Sequence, residues 1–162
     1  MKIVSIDRTK TDRIAPLVAD FRTVLLSYKN IDSRPDIAAA TDEVLEFLDH
    51  EYPFFAMEDD GEYIGYIICR TEGSCVWVEH LFVKEEWRRK GVASALFGKA
   101  EEIAVSLGEE TVFNFVHPNN GRMIGFLRSK GYTVLNMIEV RKPYEGERLS
   151  TVINVGDNGF DY

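Results

Sequence analysis

Three apolar runs joined by two short polar turns, between Pro53 and Val83, constrain this chain more than any other feature. Phe54-Phe55-Ala56-Met57 reads as a short strand, and Glu58-Asp59-Asp60-Gly61 as a turn with the Asp-Gly pair that tight hairpins favour. Tyr63-Ile64-Gly65-Tyr66-Ile67-Ile68-Cys69 is then the returning strand, and Glu72-Gly73-Ser74 the next turn. The third run, Cys75 to Val83, is apolar at both odd and even positions, which marks a central strand covered on both faces.

The flanking segments supply that cover. Residues 2–7 alternate weakly and read as a first strand. Ile14, Leu17, Val18, Phe21 and Leu25 recur at helical spacing, with Thr11 or Asp12 as the cap. Residues 29–40 form a polar, alanine-rich connection with room for a short helix after Pro35. Thr41 caps a second helix carrying Val44, Leu45, Phe47 and Leu48. After Gly91, the stripe Val92, Leu96, Ala100, Ile103 and Leu107 predicts a helix stopped at Gly108. Thr111–Val116 reads as a strand, and Asn119 or Asn120 starts a short helix with Met123, Phe126 and Leu127 that stops at Gly131. Tyr132 to Val140 reads as another strand. A meander running into strand–helix–strand implies an α/β (α+β) mixed sheet with helices on both faces. Residues 1–142 form the expected domain. Residues 143–162 form a tail whose Thr151–Val155 adds an edge strand, here or on a partner subunit, before frayed Asp and Gly residues. An apolar edge of that kind predicts a homodimer.

Composition narrows the function. The 162 residues carry 19 Lys plus Arg against 27 Asp plus Glu, a formal net charge of -8. That balance argues against a broadly basic nucleic-acid binder and allows a cationic substrate. Cys69 and Cys75, on neighbouring strands, are read as two free thiols and exclude a disulfide scaffold or a thiolate zinc cage. No three His, Cys or acidic residues share a metal spacing, so no metal is expected. Met1–Asp7 does not read as a signal peptide, and no apolar stretch approaches the roughly 18 residues of a membrane span. A soluble, cytoplasmic protein is the default expectation.

The sharpest chemical signal is Trp87-Arg88-Arg89-Lys90-Gly91-Val92-Ala93. It leaves the most apolar strand and opens an amphipathic helix. Gly91 and Ala93 allow close approach of a backbone or ligand, and three cations precede a helix N-terminus with its free N–H groups. Together these make a phosphate cradle, against the blander reading of a charged surface turn. The chain has no Gly-x-x-x-x-Gly-Lys-Ser/Thr loop, no Gly-x-Gly-x-x-Gly after its first strand and no Gly-x-Ser-x-Gly elbow.

The stretch Glu79–Ala93 resembles the central motif of the GNAT superfamily of N-acetyltransferases, with Arg88, Gly91 and Ala93 filling its Arg/Gln-x-x-Gly-x-Gly/Ala part. A second segment, Asn120-x-x-Met123-x-x-Phe126-Leu127-x-x-x-Gly131-Tyr132, resembles that family's Asn-x-x-Ala-x-x-Phe-Tyr-x-x-x-Gly-Phe. The resemblance covers roughly residues 2–141, and its specific motifs lie in 79–132. It implies the GNAT-like acyl-CoA N-acyltransferase fold, with acetyl-CoA as cosubstrate. It further implies that the pyrophosphate lies on the N–H groups of residues 89–93, with Arg88 shaping the loop and Arg89, Lys90, Gly91, Val92 and Ala93 lining it. The pantetheine arm then runs beside Leu81, Phe82 and Val83, where a backbone N–H near Leu81 or Phe82 polarises the thioester carbonyl. Asn120 holds the loop, and Phe126 lies on the helix packed beside the cofactor.

Glu79 is the expected catalytic residue, because an attacking amine must lose its proton and a carboxylate, directly or through water, accepts it. Spacing of two places Glu79 and Leu81 on one face of a regular strand and His80 on the other, unless a bulge turns it inward. Leu127 departs from the tyrosine that many relatives place there to protonate the leaving thiolate, and leucine donates no proton. Tyr132, His117 or a water then fills that role, or the thiolate leaves with little help. The acceptor is a small-molecule amine or a peptide or protein amine. Asp32, Asp36, Asp42 and Glu43 either attract a cation or form a solvated face, and Tyr28 and Tyr66 either line a site or pack. An alternative reading is an acetyl-CoA-binding module with weak or no turnover.

Overall fold

Asp60 and Gly61 have φ of 46° and 82°, the left-handed pair that a two-residue hairpin turn demands. They join β2 (Phe54–Asp59) to β3 (Glu62–Glu72) in the computed structural model, which describes residues 1–162. With β1 (Lys2–Ser5) and β4 (Cys75–Val83) these strands form an antiparallel sheet in sequence order, and β5 (Phe113–Asn114) joins β4 in parallel. The expected meander is therefore present.

Strand β3 is buried from Tyr63 to Cys69 because helices cover both of its faces. On one face Tyr66, Ile68 and, from β4, Phe82 form a core with Ile14 and Val18 of α1 (Thr11–Ser27) and Val44 of α2 (Ile37–Asp49). The other face packs against α3 (Val92–Ser106), which buries Leu96, Phe97 and Ala100. The result is a mixed α/β sheet flanked by helices. Gly65 allows β3 and β4 to come close: a Cβ there would lie 2.8 Å from the Phe82 carbonyl oxygen.

Helix starts differ from expectation where a nearer cap competes. Asp7 accepts from the Thr9 N–H at 2.9 Å and starts a 3₁₀ turn, Arg8–Lys10, that leads into α1, so neither Thr11 nor Asp12 acts as a side-chain cap. Asp36 caps α2 through the Ala39 N–H at 3.0 Å. Thr41 lies inside α2 and donates to the Ile37 carbonyl instead. Helix α3 ends as expected, with Gly108 at φ 83° beyond it.

Residues 1–126 and 127–162 form two compact units. Helix α4 (Gly121–Ser129) begins in the first and ends in the second, where the Tyr132 N–H closes on the Leu127 carbonyl at 3.0 Å. The strand expected over 111–116 shrinks to β5, two residues long. The strand expected over Tyr132–Val140 is absent, and Val134, Leu135 and Met137 are exposed. Alternating apolar residues make a strand only where a neighbour satisfies the backbone, and no ladder forms here. The tail forms its own hairpin rather than an edge of the main sheet. β6 (Val152–Val155) pairs with β7 (Asn158–Asp161) around Gly156 at φ 60°, so the residues expected to fray instead build a turn and a strand.

Candidate active site

Strand β4 carries a bulge at its centre. Ile68 pairs with His80 and Cys69 with Val78, so Glu79 is an extra residue with no partner on β3. The bulge corrects the expected side-chain directions. Leu81 pairs with Ile67, whereas the Glu79 carboxylate accepts from Arg70 Nε at 2.7 Å. Arg70 shares its β3 face with Tyr66 and Ile68, the face under α1 and α2. Glu79 thus lies on the face opposite Leu81, and His80, paired with Ile68, shares the Glu79 face.

Pairing of β4 with β5 covers only Trp77 and Val78. From Glu79 to Val83, the edge of β4 turned toward β5 has no strand beside it. Leu81, Phe82 and Val83 therefore lie on an open edge that begins at the bulge. Trp77 stacks on Phe113 at 4.7 Å and on Phe115 at 4.8 Å, between ring centroids, where β5 departs.

A polar chain crosses the helical side of the site. The Tyr66 hydroxyl lies 3.2 Å from His80 Nδ1, and His80 Nε2 lies 3.4 Å from Glu43 of α2. Glu43 is held by both ends of the Arg22 guanidinium of α1, with Nε at 2.8 Å. His80 is buried and also packs against the rings of Phe21 and Phe47. Burial, reinforced by the nearby Arg22 charge, holds its imidazole well below the ordinary histidine range. Glu43 is therefore a partner inside this chain rather than part of a solvated acidic face, and Asp36 is committed to its helix cap.

After β4 the chain makes a 3₁₀ turn, Glu85–Trp87, and reaches the cationic loop. Arg88 Nε donates to the Val83 carbonyl at 3.0 Å, tying the loop to the strand end. Arg89 has φ 61° and Gly91 φ 83°, left-handed conformations that bracket Lys90. Lys90 Nζ sits over the Trp87 ring at 4.7 Å. Gly91 opens α3 with no side-chain cap, so the first-turn N–H groups at Val92 and Ala93 have no capping side chain. Such a turn, at the positive end of a helix and beside cations, suits an anion.

A cleft of about 390 Å³ adjoins this loop, lined among others by Asp20, Thr23, Phe82, Lys84 and Arg88. Burial raises the Asp20 carboxyl above its ordinary value, with Lys84 acting in the opposite direction. A second cleft, of about 270 Å³, lies between α1 and α2 and includes Arg22, Ser33, Asp36 and Glu43. The Ser33 hydroxyl is buried there without a hydrogen-bond partner.

Asn120 caps α4 by accepting from the Met123 N–H at 3.0 Å, and its side-chain oxygen also takes the Tyr28 hydroxyl at 3.1 Å. Tyr28 stacks on His117, so it ties the end of α1 to the start of α4. Phe126 packs edge-on against Phe97 of α3 at 5.5 Å. Leu127 is buried. Cys69 and Cys75 are both free thiols. No group of three or more His, Cys, Asp or Glu is placed to hold a metal ion, and no helix is long and apolar enough to cross a membrane.

Sequence reasoning missed Arg70, Arg22 and Asp20. The one available signal was charge placement: Arg70 ends the apolar run 63–69, and Glu79 is the only acid in Cys75–Val83. Their pairing depends on the bulge, which periodicity does not reveal.

The family model described as Acetyltransferase (GNAT) family matches residues 19–132. Among solved structures, an aminoglycoside antibiotic 6'-N-acetyltransferase from Acinetobacter haemolyticus is 19% identical, with a TM-score of 0.67 over 89% of this chain and 99% of its own. A ribosomal-protein-alanine N-acetyltransferase from Brucella melitensis biovar Abortus is 17% identical, with a TM-score of 0.66 over 89% of this chain and 100% of its own. PaiA N-acetyltransferase from Thermoplasma acidophilum, solved with coenzyme A, is 17% identical, with a TM-score of 0.66 over 80% of this chain and 89% of its own. At these identities the likeness is one of fold.

Proposed function

The chain belongs to the GNAT acetyltransferase family, and from that premise we propose that it moves an acetyl group from acetyl-CoA to a primary amine by direct attack, with Glu79 accepting the amine's proton. One observation carries this reading. The bulged Glu79 carboxylate stands where β4 loses its β5 neighbour, on the strand that runs directly into the uncapped, cation-flanked start of α3.

The loop residues fit the donor. Acetyl-CoA supplies a thioester-activated acetyl group and a diphosphate handle. The N–H groups of Val92 and Ala93 and the charges of Arg89 and Lys90 suit that diphosphate, while Arg88 holds the loop through the Val83 carbonyl. The open β4 edge at Leu81, Phe82 and Val83 offers backbone groups to an extended arm and, in the proposal, an N–H to the acyl oxygen. Asn120 and Phe126 support α4 beside this loop in the same reading. Glu79 keeps Oε1 on Arg70 and leaves Oε2 to take a proton directly or to order a water that does. Aminoglycoside N-acetyltransferase and ribosomal-protein-alanine N-acetyltransferase are names of similar proteins that place acetyl on nitrogen, which supports an amine acceptor here.

Calorimetric titration with acetyl-CoA, followed by assay of thiol release with neamine and with a peptide bearing N-terminal alanine, tests the reading. Saturable binding with amine-dependent thiol release is expected. No binding of acetyl-CoA by the folded protein overturns it. Leu127 favours a second reading, a binding module with weak or no turnover, because it is buried and apolar where many relatives carry tyrosine. Tight binding with no thiol release from either amine is the outcome that reading expects.

A further inference from the structure

Glu79 does not stand alone on its strand. Arg70 Nε donates to Glu79 Oε1 at 2.7 Å, and one of its terminal nitrogens donates to Glu72 Oε2, also at 2.7 Å. The guanidinium carbon lies 5.4 Å from the centroid of the Trp77 ring, the residue paired with Arg70 across the ladder. Three contacts therefore fix one planar group. The two carboxylates differ in setting: the Glu79 side chain is 25% exposed and that of Glu72 is 75% exposed. The outer pair is a screened surface contact, whereas the inner one is partly sheltered.

A bulged residue has no ladder partner to set its side-chain direction. For Glu79 that direction must come from a side chain, and Arg70 supplies it. We propose that Arg70 is a positioning residue for the reaction: it holds Glu79 Oε1, turns Oε2 toward the amine, and keeps the carboxylate beside a fixed positive charge. This rests on Glu79 being the proton acceptor. Arg22 of α1, Cys69 and Arg70 of β3 and the adjacent His80 act on Glu79 directly, whereas Glu43 and Tyr66 contact His80 and Glu72 contacts Arg70. Arg70 is the one of these that hydrogen-bonds it.

The test measures kcat, KM for acetyl-CoA and the unfolding midpoint, with neamine as the acceptor probe, in wild type, Arg70→Gln, Arg70→Lys, Glu72→Gln and Glu79→Gln. Arg70→Gln is expected to lower kcat about tenfold, because Glu79 Oε1 loses the donor that fixes its direction, with KM for acetyl-CoA and the unfolding midpoint unchanged. Arg70→Lys should still lose kcat severalfold, since an ammonium lacks the fork that sets orientation. Glu72→Gln should keep kcat within about twofold of wild type. Wild-type kcat in Arg70→Gln, while Glu79→Gln is impaired, overturns the proposal. If Arg70→Gln does not fold, wild-type kcat in Arg70→Lys overturns it equally. Wild-type rates in Glu79→Gln would remove the base reading itself, and that result is distinct from a failure confined to Arg70.

Discussion

The Tyr66 hydroxyl and His80 Nδ1 meet at 3.2 Å inside the core, where both side chains are buried. Burial keeps His80 well below its ordinary value of 6.5 in the folded state. Unfolded, it takes up a proton as the pH falls through that value. The contribution to stability is therefore full above pH 6.5 and is lost as pH falls, by up to about 1.4 kcal/mol per pH unit. Urea unfolding at pH 5, 6, 7 and 8 should show this decline. His80→Gln should be less stable at pH 8, with a visibly flatter slope between pH 7 and 5.

Glu79→Gln preserves size and can still accept from Arg70, but it removes the proposed proton acceptor. Single-turnover acetyl transfer should fall by about 10²–10⁴-fold where proton transfer limits the rate. The loss should be largest at low pH, where more of the amine is protonated, with acetyl-CoA affinity little changed. A fall in acceptor affinity alone would make Glu79 an acceptor-binding carboxylate.

Gly91 tests the anion cradle. Its φ of 83° strains any side chain, although no atom lies within 4 Å of a Cβ built there. Gly91→Ala should therefore cost about 1 kcal/mol of stability with modest effect on binding. Gly91→Asp adds a negative charge at the helix start and should weaken acetyl-CoA binding at least about tenfold beyond the alanine variant, read by calorimetry.

Cys69 is fully buried, and burial pushes its thiol up to about 12, with Glu79 acting in the same direction. The thiolate is the reactive form. At pH 8 native protein should leave Cys69 unmodified by iodoacetamide over hours, while the half-buried Cys75 is the site of any slow labelling. Urea should expose both, as peptide mass spectrometry will show.

Gly65→Ala should destabilise the sheet by about 1–3 kcal/mol, because the added methyl would sit 2.8 Å from the Phe82 carbonyl oxygen and 3.1 Å from a Val83 methyl. The same change should reduce acetyl transfer by disturbing the open β4 edge. Equal unfolding midpoints for the variant and wild type would refute the close approach.

The meander, the three long helices and the cationic loop were legible in the chain because each rests on local chemistry. Asp60-Gly61 specifies a tight turn, alternating and continuous apolar runs specify strands, and the stripe Val92, Leu96, Ala100, Ile103 and Leu107 specifies a helix. The motif that locates the loop at Arg88–Ala93 is likewise contiguous. Legibility failed where a partner far along the chain decides. Tyr132–Val140 has the pattern of a strand and no ladder, and Thr111–Val116 keeps only two residues of pairing.

The amino-acid order by itself determined which residues are candidates for the chemistry: a lone acid in an apolar strand, and glycine and cations before a helix. Tertiary structure alone decided how they face. A one-residue shift in register at Glu79 reverses its direction relative to Leu81, brings it to Arg70 and puts His80 beside it on the face under α1 and α2. Register is set by pairing energies summed along two strands and by the helices packed on them, so no local pattern encodes it. The Arg22–Glu43–His80–Tyr66 chain joins four elements and follows from that register.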